Sequence, residues 1–230
     1  MLHRGVQYIC TMARTLKIAT PHGQVTGILS MPNQPRSSGI LLAHGAGAGQ
    51  MHPWMVRMRQ KLAGLGFPTM SFNYQYTEAG RKAPDRLLKL IDVHAAAANR
   101  LRSYTDSVVL AGKSMGGRVG GHVAADDPDL AAGVVYLGYP LVALGRSEAR
   151  STDHLEHLVI PQLFISGSRD AMGPNERVAH VASSAPSGEF VSIESGDHSL
   201  VPLKRTGRTL DDALEEACAS IDQWWLGNIQ

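Results

Sequence analysis

Short apolar runs alternate along this chain with longer stretches in which apolar residues recur every three or four positions. The runs Gly39–Gly45 ("GILLAHG"), Phe67–Tyr74 ("FPTMSFNY"), Ser107–Ala111, Ala131–Tyr139, Pro161–Ser166 and Glu189–Ile193 have strand length and turn residues at their borders. Between them, Pro53–Leu65, Pro84–Leu101, Met115–Ala125, Asn175–Ser184 and Thr209–Trp225 carry helical spacing, as with Leu87, Leu88, Ile91, Ala95 and Ala98. Pro53 suits the first turn of its helix. Ahead of these, Leu16–Ala19 and Val25–Met31 flank the turn-like "TPHGQ" and predict an antiparallel hairpin. Strands alternating with helices predict the α/β class, a mostly parallel sheet covered by helices on both faces. On such a sheet, chemistry gathers beyond the carboxyl ends of the strands.

Composition narrows this picture. The 230 residues show no repeat, low-complexity tract or long linker, so one domain over 1–230 is expected. Met12 offers a second translation start, which would make residues 1–11 a dispensable extension. A net charge of +2 with no basic block argues against nucleic acid or an anionic membrane as partner. No apolar run approaches a membrane span, and the N-terminus lacks the apolar core of a signal peptide. Cys10 and Cys218 are far apart, without metal-ligand spacing, and read as reduced thiols of a cytoplasmic protein.

The segment Val108–Gly121, "VVLAGKSMGGRVGG", admits two readings. Gly112-Lys113-Ser114 resembles the end of a phosphate-binding loop, but that motif requires glycine at position 107, where Ser stands. The intervening Val-Val-Leu-Ala is a strand, which cannot wrap its amides around phosphate. The alternative is a nucleophile elbow, Gly112-x-Ser114-x-Gly116: a strand ends, a serine sits on a sharp turn, and a helix begins. Gly112 and Gly116 leave room for the turn, and Gly117, Gly120 and Gly121 allow the helix close to the sheet.

A serine hydroxyl needs a base to take its proton and an acid behind the base. On an elbow of this kind the chain order is Ser, acid, His. Asp170 follows the strand "PQLFISG", while Asp126, Asp127 and Asp129 lie at the wrong end of the elbow helix. Only His180 and His198 follow Asp170. His180 falls within a helical pattern, whereas His198 lies in the loop "SGDHSL" after the last strand, so His198 is the candidate base. Asp197, its chain neighbour, is a poor orienting acid because adjacent side chains in a loop diverge. The oxyanion donors are expected from the amides of Met115 and Ala46, the latter in the glycine loop "HGAGAG". A dinucleotide fingerprint there would require glycine at position 50, which is Gln. His44 is expected to brace the loop.

These residues in series give the chain a resemblance to the α/β-hydrolase superfamily over almost its full length, nearest the small lidless group around the dienelactone-hydrolase-like proteins. "FNYQYTEAGRKAPD", "GKSMGGR", "LGYP", "SGSRDAMG" and "GDHSL" are similar to the subgroup that includes a subunit of the non-specific lethal chromatin complex and its bacterial relatives. The resemblance implies Ser114 as nucleophile, Asp170 as acid, His198 as base, and Ala46 and Met115 as oxyanion hole; such a mechanism needs no cofactor, and no His/Cys/carboxylate cluster with ligand spacing argues for a metal. Dienelactone hydrolases use cysteine where this chain has Ser114, which favours ordinary ester hydrolysis. A thioesterase, peptidase, acyltransferase or non-catalytic scaffold on the same fold stands as the alternative. Between Tyr139 and Pro161 there is room for a short helix only, so the expected site is open and suits a small ester. Tyr74, Tyr76, Arg81 and Lys113 are candidates to line or support it. Arg81 has the fork to bind a substrate carboxylate, or else braces its own loop through an ion pair, the commoner use. Trp224 and Trp225 are expected to be packing anchors.

Overall fold

A computed structural model describes residues 12–143 and 145–230. The expectations for residues 1–11 and Cys10 lie outside the described residues. Strands β1 (Met12–Thr20) and β2 (Gly23–Met31) form the expected antiparallel hairpin. The chain then alternates through β3 (Ser38–Ala43), α1 (Pro53–Gly64), β4 (Thr69–Phe72), α2 (Gln75–Glu78), α3 (Leu87–Arg102), β5 (Ser107–Lys113) and α4 (Met115–Asp126). It continues with β6 (Gly133–Leu137), α5 (Asp153–Glu156), β7 (Gln162–Gly167), α6 (Asn175–Ser184), β8 (Gly188–Ile193) and α7 (Leu210–Asn228). One sheet of eight strands results, in the order β1-β2-β4-β3-β5-β6-β7-β8. β1, β2 and β4 pair antiparallel, and every pairing from β4 to β8 is parallel.

The two-residue period of the strands divides the core. Leu41, Leu110, Tyr136 and Phe164 face α3, α4 and α6, while Ile40, Leu42, Val109, Val135 and Ile165 face α1 and α7. The apolar runs are therefore continuous because both faces of the sheet are buried. Trp224 and Trp225 lie in the second layer, Trp225 edge-on to Phe67 at 5.4 Å, as expected of anchors. Cys218 is a buried free thiol beside Met58, pushed up to about 12 by burial.

After β3 the chain goes to β4 on one side, and then to β5 on the other. The carboxyl ends of β3 and β5 thus meet at the point where the strand order reverses, which is where open α/β sheets bind ligands. Two details depart from the expected pattern. α2 is a single turn, too short to show periodicity, and it is pinned when the Thr26 backbone N–H donates to Glu78 at 2.9 Å. α3 begins at Leu87 rather than Pro84, because Arg86 is extended and Asp85 is held by Arg81 and Lys89 ahead of the first turn. No large lid interrupts the fold: among the described residues between β6 and β7 stand only a bridge from Val142 to Ala149 and the four-residue α5.

A Cβ at Gly112 would lie 2.2 Å from the Gly117 nitrogen, and one at Gly116 would lie 2.5 Å from the Ala43 oxygen. Neither backbone can yield without moving a strand. Gly112→Ala is therefore expected to destabilise the protein by about 3 kcal/mol or more, read from denaturant midpoints. Gly227→Ala in α7, where a Cβ meets nothing within 4 Å, is the control and is expected to be neutral or stabilising by under about 1 kcal/mol.

Candidate active site

β5 ends at Lys113 and α4 starts at Met115, leaving Ser114 to make the whole turn. Its backbone sits at φ 52 and ψ −117, a conformation that costs a non-glycine residue on the order of 1–3 kcal/mol. Two hydrogen bonds hold it there. The Ser114 N–H donates to Leu137 O at 2.9 Å, and Ser114 O accepts from the Arg118 N–H at 3.1 Å. The side chain is thereby projected off the rim of the sheet.

Asp170 and His198 arrive from the loops after β7 and β8. The Asp170 carboxylate is buried, and its Oδ1 accepts from the amides of Met172 at 2.8 Å and Gly173 at 3.0 Å. His198 Nδ1 lies 3.0 and 2.8 Å from the two Asp170 oxygens, and His198 Nε2 lies 2.9 Å from Ser114 Oγ. A carboxylate that only accepts makes Nδ1 the protonated nitrogen, which leaves the Nε2 lone pair for the serine proton. Asp197 points elsewhere: its Oδ1 accepts from the amides of Ser199 and Val201 and shapes the turn that carries His198. His180 is exposed on α6, away from this chain of hydrogen bonds.

The glycine loop after β3 packs on the elbow, where a Cβ at Gly45 would lie 3.5 Å from Ser114 Cβ. His44 braces it from below. Its Nε2 accepts from the Tyr74 N–H and lies 3.3 Å from the Thr77 hydroxyl, so Nδ1 carries the proton and donates to Gly45 O at 2.9 Å. Gln50, where a dinucleotide loop would need glycine, is buried with its amide on Thr26, while Asn73 accepts from the Gln50 N–H. Ala46 and Met115 line the same cleft as Ser114, and the Met115 N–H, first in its helix, has no acceptor within that helix. The cleft has a volume of about 330 Å³, with an apolar wall of Pro84, Leu87, Leu90, Val119, Pro140 and Met172.

Not every expected residue reaches it. Tyr74 and Tyr76 are fully buried and do not line the cleft; they stack 6.2 Å apart beside His44, and the Tyr74 hydroxyl lies 3.0 Å from His94 Nδ1. Their apolar rings are drawn into the core, so they support the loop rather than touch ligand. Arg81 is also outside the cleft, held 2.6 Å from Asp85 in the bracing ion pair. Lys113 turns under the His198 loop and donates to His198 O at 3.3 Å, with burial lowering its ammonium below the usual range. The apolar wall had no place among the candidates, nor had two cationic cleft residues, Arg118 and Arg150. Arg118 was within reach of sequence reasoning, since four residues beyond Ser114 on a helix share one face. Arg150 depends on the path of the loop after β6, which no periodicity reports.

The comparisons agree with this geometry at the level of fold. Residues 36–226 match a family model described as an alpha/beta hydrolase domain. Dienelactone hydrolase from Anabaena variabilis superposes with a TM-score of 0.75 at 19% identity, over 96% of this chain and 99% of that one. XC6422 from Xanthomonas campestris, a serine hydrolase without a lid, gives 0.74 at 19% identity over 94% and 96%. Est1E from Butyrivibrio proteoclasticus with ferulic acid bound gives 0.70 at 16% identity over 89% and 98%.

The buried histidines behind the site set a pH dependence. Burial lowers His44 to about 4, its Gly45 hydrogen bond opposing, and lowers His94 to about 3, with His44 adding to the shift. In the unfolded chain both take up protons near 6.5, so stability is full above that pH and is lost as pH falls toward the folded values. Denaturant unfolding at about pH 4.5 should show a loss on the order of 2 kcal/mol per histidine relative to neutral pH. His94→Gln should lose less over the same interval. A fall of equal size in that variant would contradict the assignment.

Proposed function

The chain belongs to the alpha/beta hydrolase family, and we propose that within it Ser114, His198 and Asp170 hydrolyse carboxylic esters through an acyl-enzyme. The observation that carries the proposal is the continuous run of hydrogen bonds from Asp170 through His198 to Ser114, ending on a serine held at positive φ. His198 Nε2 takes the hydroxyl proton as Oγ attacks the ester carbon, and Asp170 stabilises the imidazolium that forms. The amides of Ala46 and Met115 receive the developing oxyanion, a contribution of about 3 kcal/mol per donor in comparable sites. His198 returns the proton to the leaving alcohol, then deprotonates the water that cleaves the acyl-enzyme.

The likeness to a lidless serine hydrolase, and to Est1E with ferulic acid bound, supports this reaction class. The motifs shared with the subgroup around the non-specific lethal complex subunit support a place within it. A bare scaffold has no need of a strained serine aligned on a histidine, so the geometry favours catalysis over the scaffold reading.

A fluorophosphonate probe should label the folded protein at one site, and Ser114→Ala should abolish the label. Asp170→Asn, which misorients the imidazole, should lower kcat on a nitrophenyl ester by about 10³–10⁴-fold. Labelling that persists in Ser114→Ala, or full activity in Asp170→Asn, would defeat the proposal.

A further inference from the structure

The cleft beside Ser114 is apolar along most of its wall but carries two guanidinium groups, Arg118 from α4 and Arg150 from the loop after β6. Among the described residues, neither has a carboxylate within ion-pair distance. Arg150 is anchored through one nitrogen, which donates to Pro140 O at 2.7 Å, while its backbone N–H donates to Leu141 O. That bond orients the fork and leaves its other donors for a ligand. Arg118 is fixed by its place one helical turn beyond the nucleophile, where its N–H closes the elbow onto Ser114 O. Both groups line the same cleft as Ser114, and both hold the buried Tyr139 hydroxyl, pushed up to about 12, below where burial alone would take it.

The acidic groups around the cleft form their ion pairs with other residues or with none among those described. Among the described residues the one carboxylate on the cleft wall is Asp85, whose Oδ1 is engaged by Arg81 at 2.6 Å and by Lys89 at 3.8 Å. His122 and His154, stacked 3.7 Å apart, feel the Arg118 charge, opposed by Asp126 at His122 and by Asp153 at His154. Burial lowers both, His154 to about 3, so neither adds positive charge near neutral pH. Two guanidiniums on one mostly apolar cleft are a strong attractor for a planar anion, which a guanidinium can hold bidentately.

We propose that Arg118 and Arg150 form a carboxylate subsite, and that the substrate is a small ester bearing a free carboxylate, such as a half-ester of a dicarboxylic acid. The inference rests on the ester-hydrolase reading of Ser114 but makes a separate claim. The carboxylate docks on the arginines and the ester carbonyl reaches Ser114 across the apolar wall. A volume of about 330 Å³ is at the small end of ligand sites and fits one such molecule.

The test compares a nitrophenyl glutarate half-ester with the same compound capped as its methyl ester. The expected ratio of kcat/KM, acid over capped, is about tenfold or more in the native chain. It should shrink as salt is raised, and fall toward one in Arg118→Met and in Arg150→Met. Arg118→Lys should retain part of it. A native ratio near one, or a ratio unchanged in both methionine variants, overturns the subsite. A separate arm measures calorimetric binding of monomethyl glutarate to Ser114→Ala, where about tenfold weaker binding on adding Arg118→Met supports the subsite. No binding, or binding indifferent to that arginine, counts against it. Should binding be retained while neither ester is hydrolysed, the subsite stands and the esterase reading falls.

Discussion

The rim of this sheet depends on one steric condition: three stretches of backbone must cross within contact distance beneath Ser114. The end of β5, the first turn of α4 and the end of β3 meet at Gly112, Gly116 and Ala43, with no room for a Cβ between them. That crowding leaves Ser114 no way to join strand to helix except at positive φ. The strain is borne by the packing of two strands and a helix, and its result is a hydroxyl standing clear of the rim. Propensity alone disfavours the glycine-rich start of α4, and close approach to the sheet is the physical return.

The other two groups are held by loops, and the loops are held by the layers below. Asp170 is fixed by two amides of its own turn. The His198 loop is pinned from three directions: Lys113 at the end of the elbow strand donates to His198 O, Trp54 of α1 donates to Ser199 O at 2.9 Å, and Asp197 closes the turn. A Cβ at Gly167 would lie 2.3 Å from Gly196 O, so the segments that carry Asp170 and His198 also press directly on each other. Burial of the apolar layers is thus converted into side-chain positions within hydrogen-bond reach.

Much of this was legible in the chain itself. Strand and helix order follow from apolar runs and helical periods, since a sheet buried on both faces writes itself as unbroken apolar segments. The trio Ser114, Asp170 and His198 could be sought by order and by location at strand ends, and Asp197 set aside by the divergence of neighbouring side chains. What periodicity does not encode is how a loop folds over the rim. Tyr74 and Tyr76 read as residues that line or support the site, and their rings are drawn into the core around His44. Arg81 took the nearer carboxylate, and Arg150 came to the cleft by a path that only three-dimensional packing determines.

The most direct measurement is a crystal structure of the chain after reaction with an acyl phosphonate. The account predicts phosphorus bonded to Ser114 Oγ, the phosphonyl oxygen about 3 Å from the amides of Ala46 and Met115, and His198 still bridging to Asp170. Phosphorus on any other residue, or an unreacted Ser114 with its imidazole partner turned away, would contradict it.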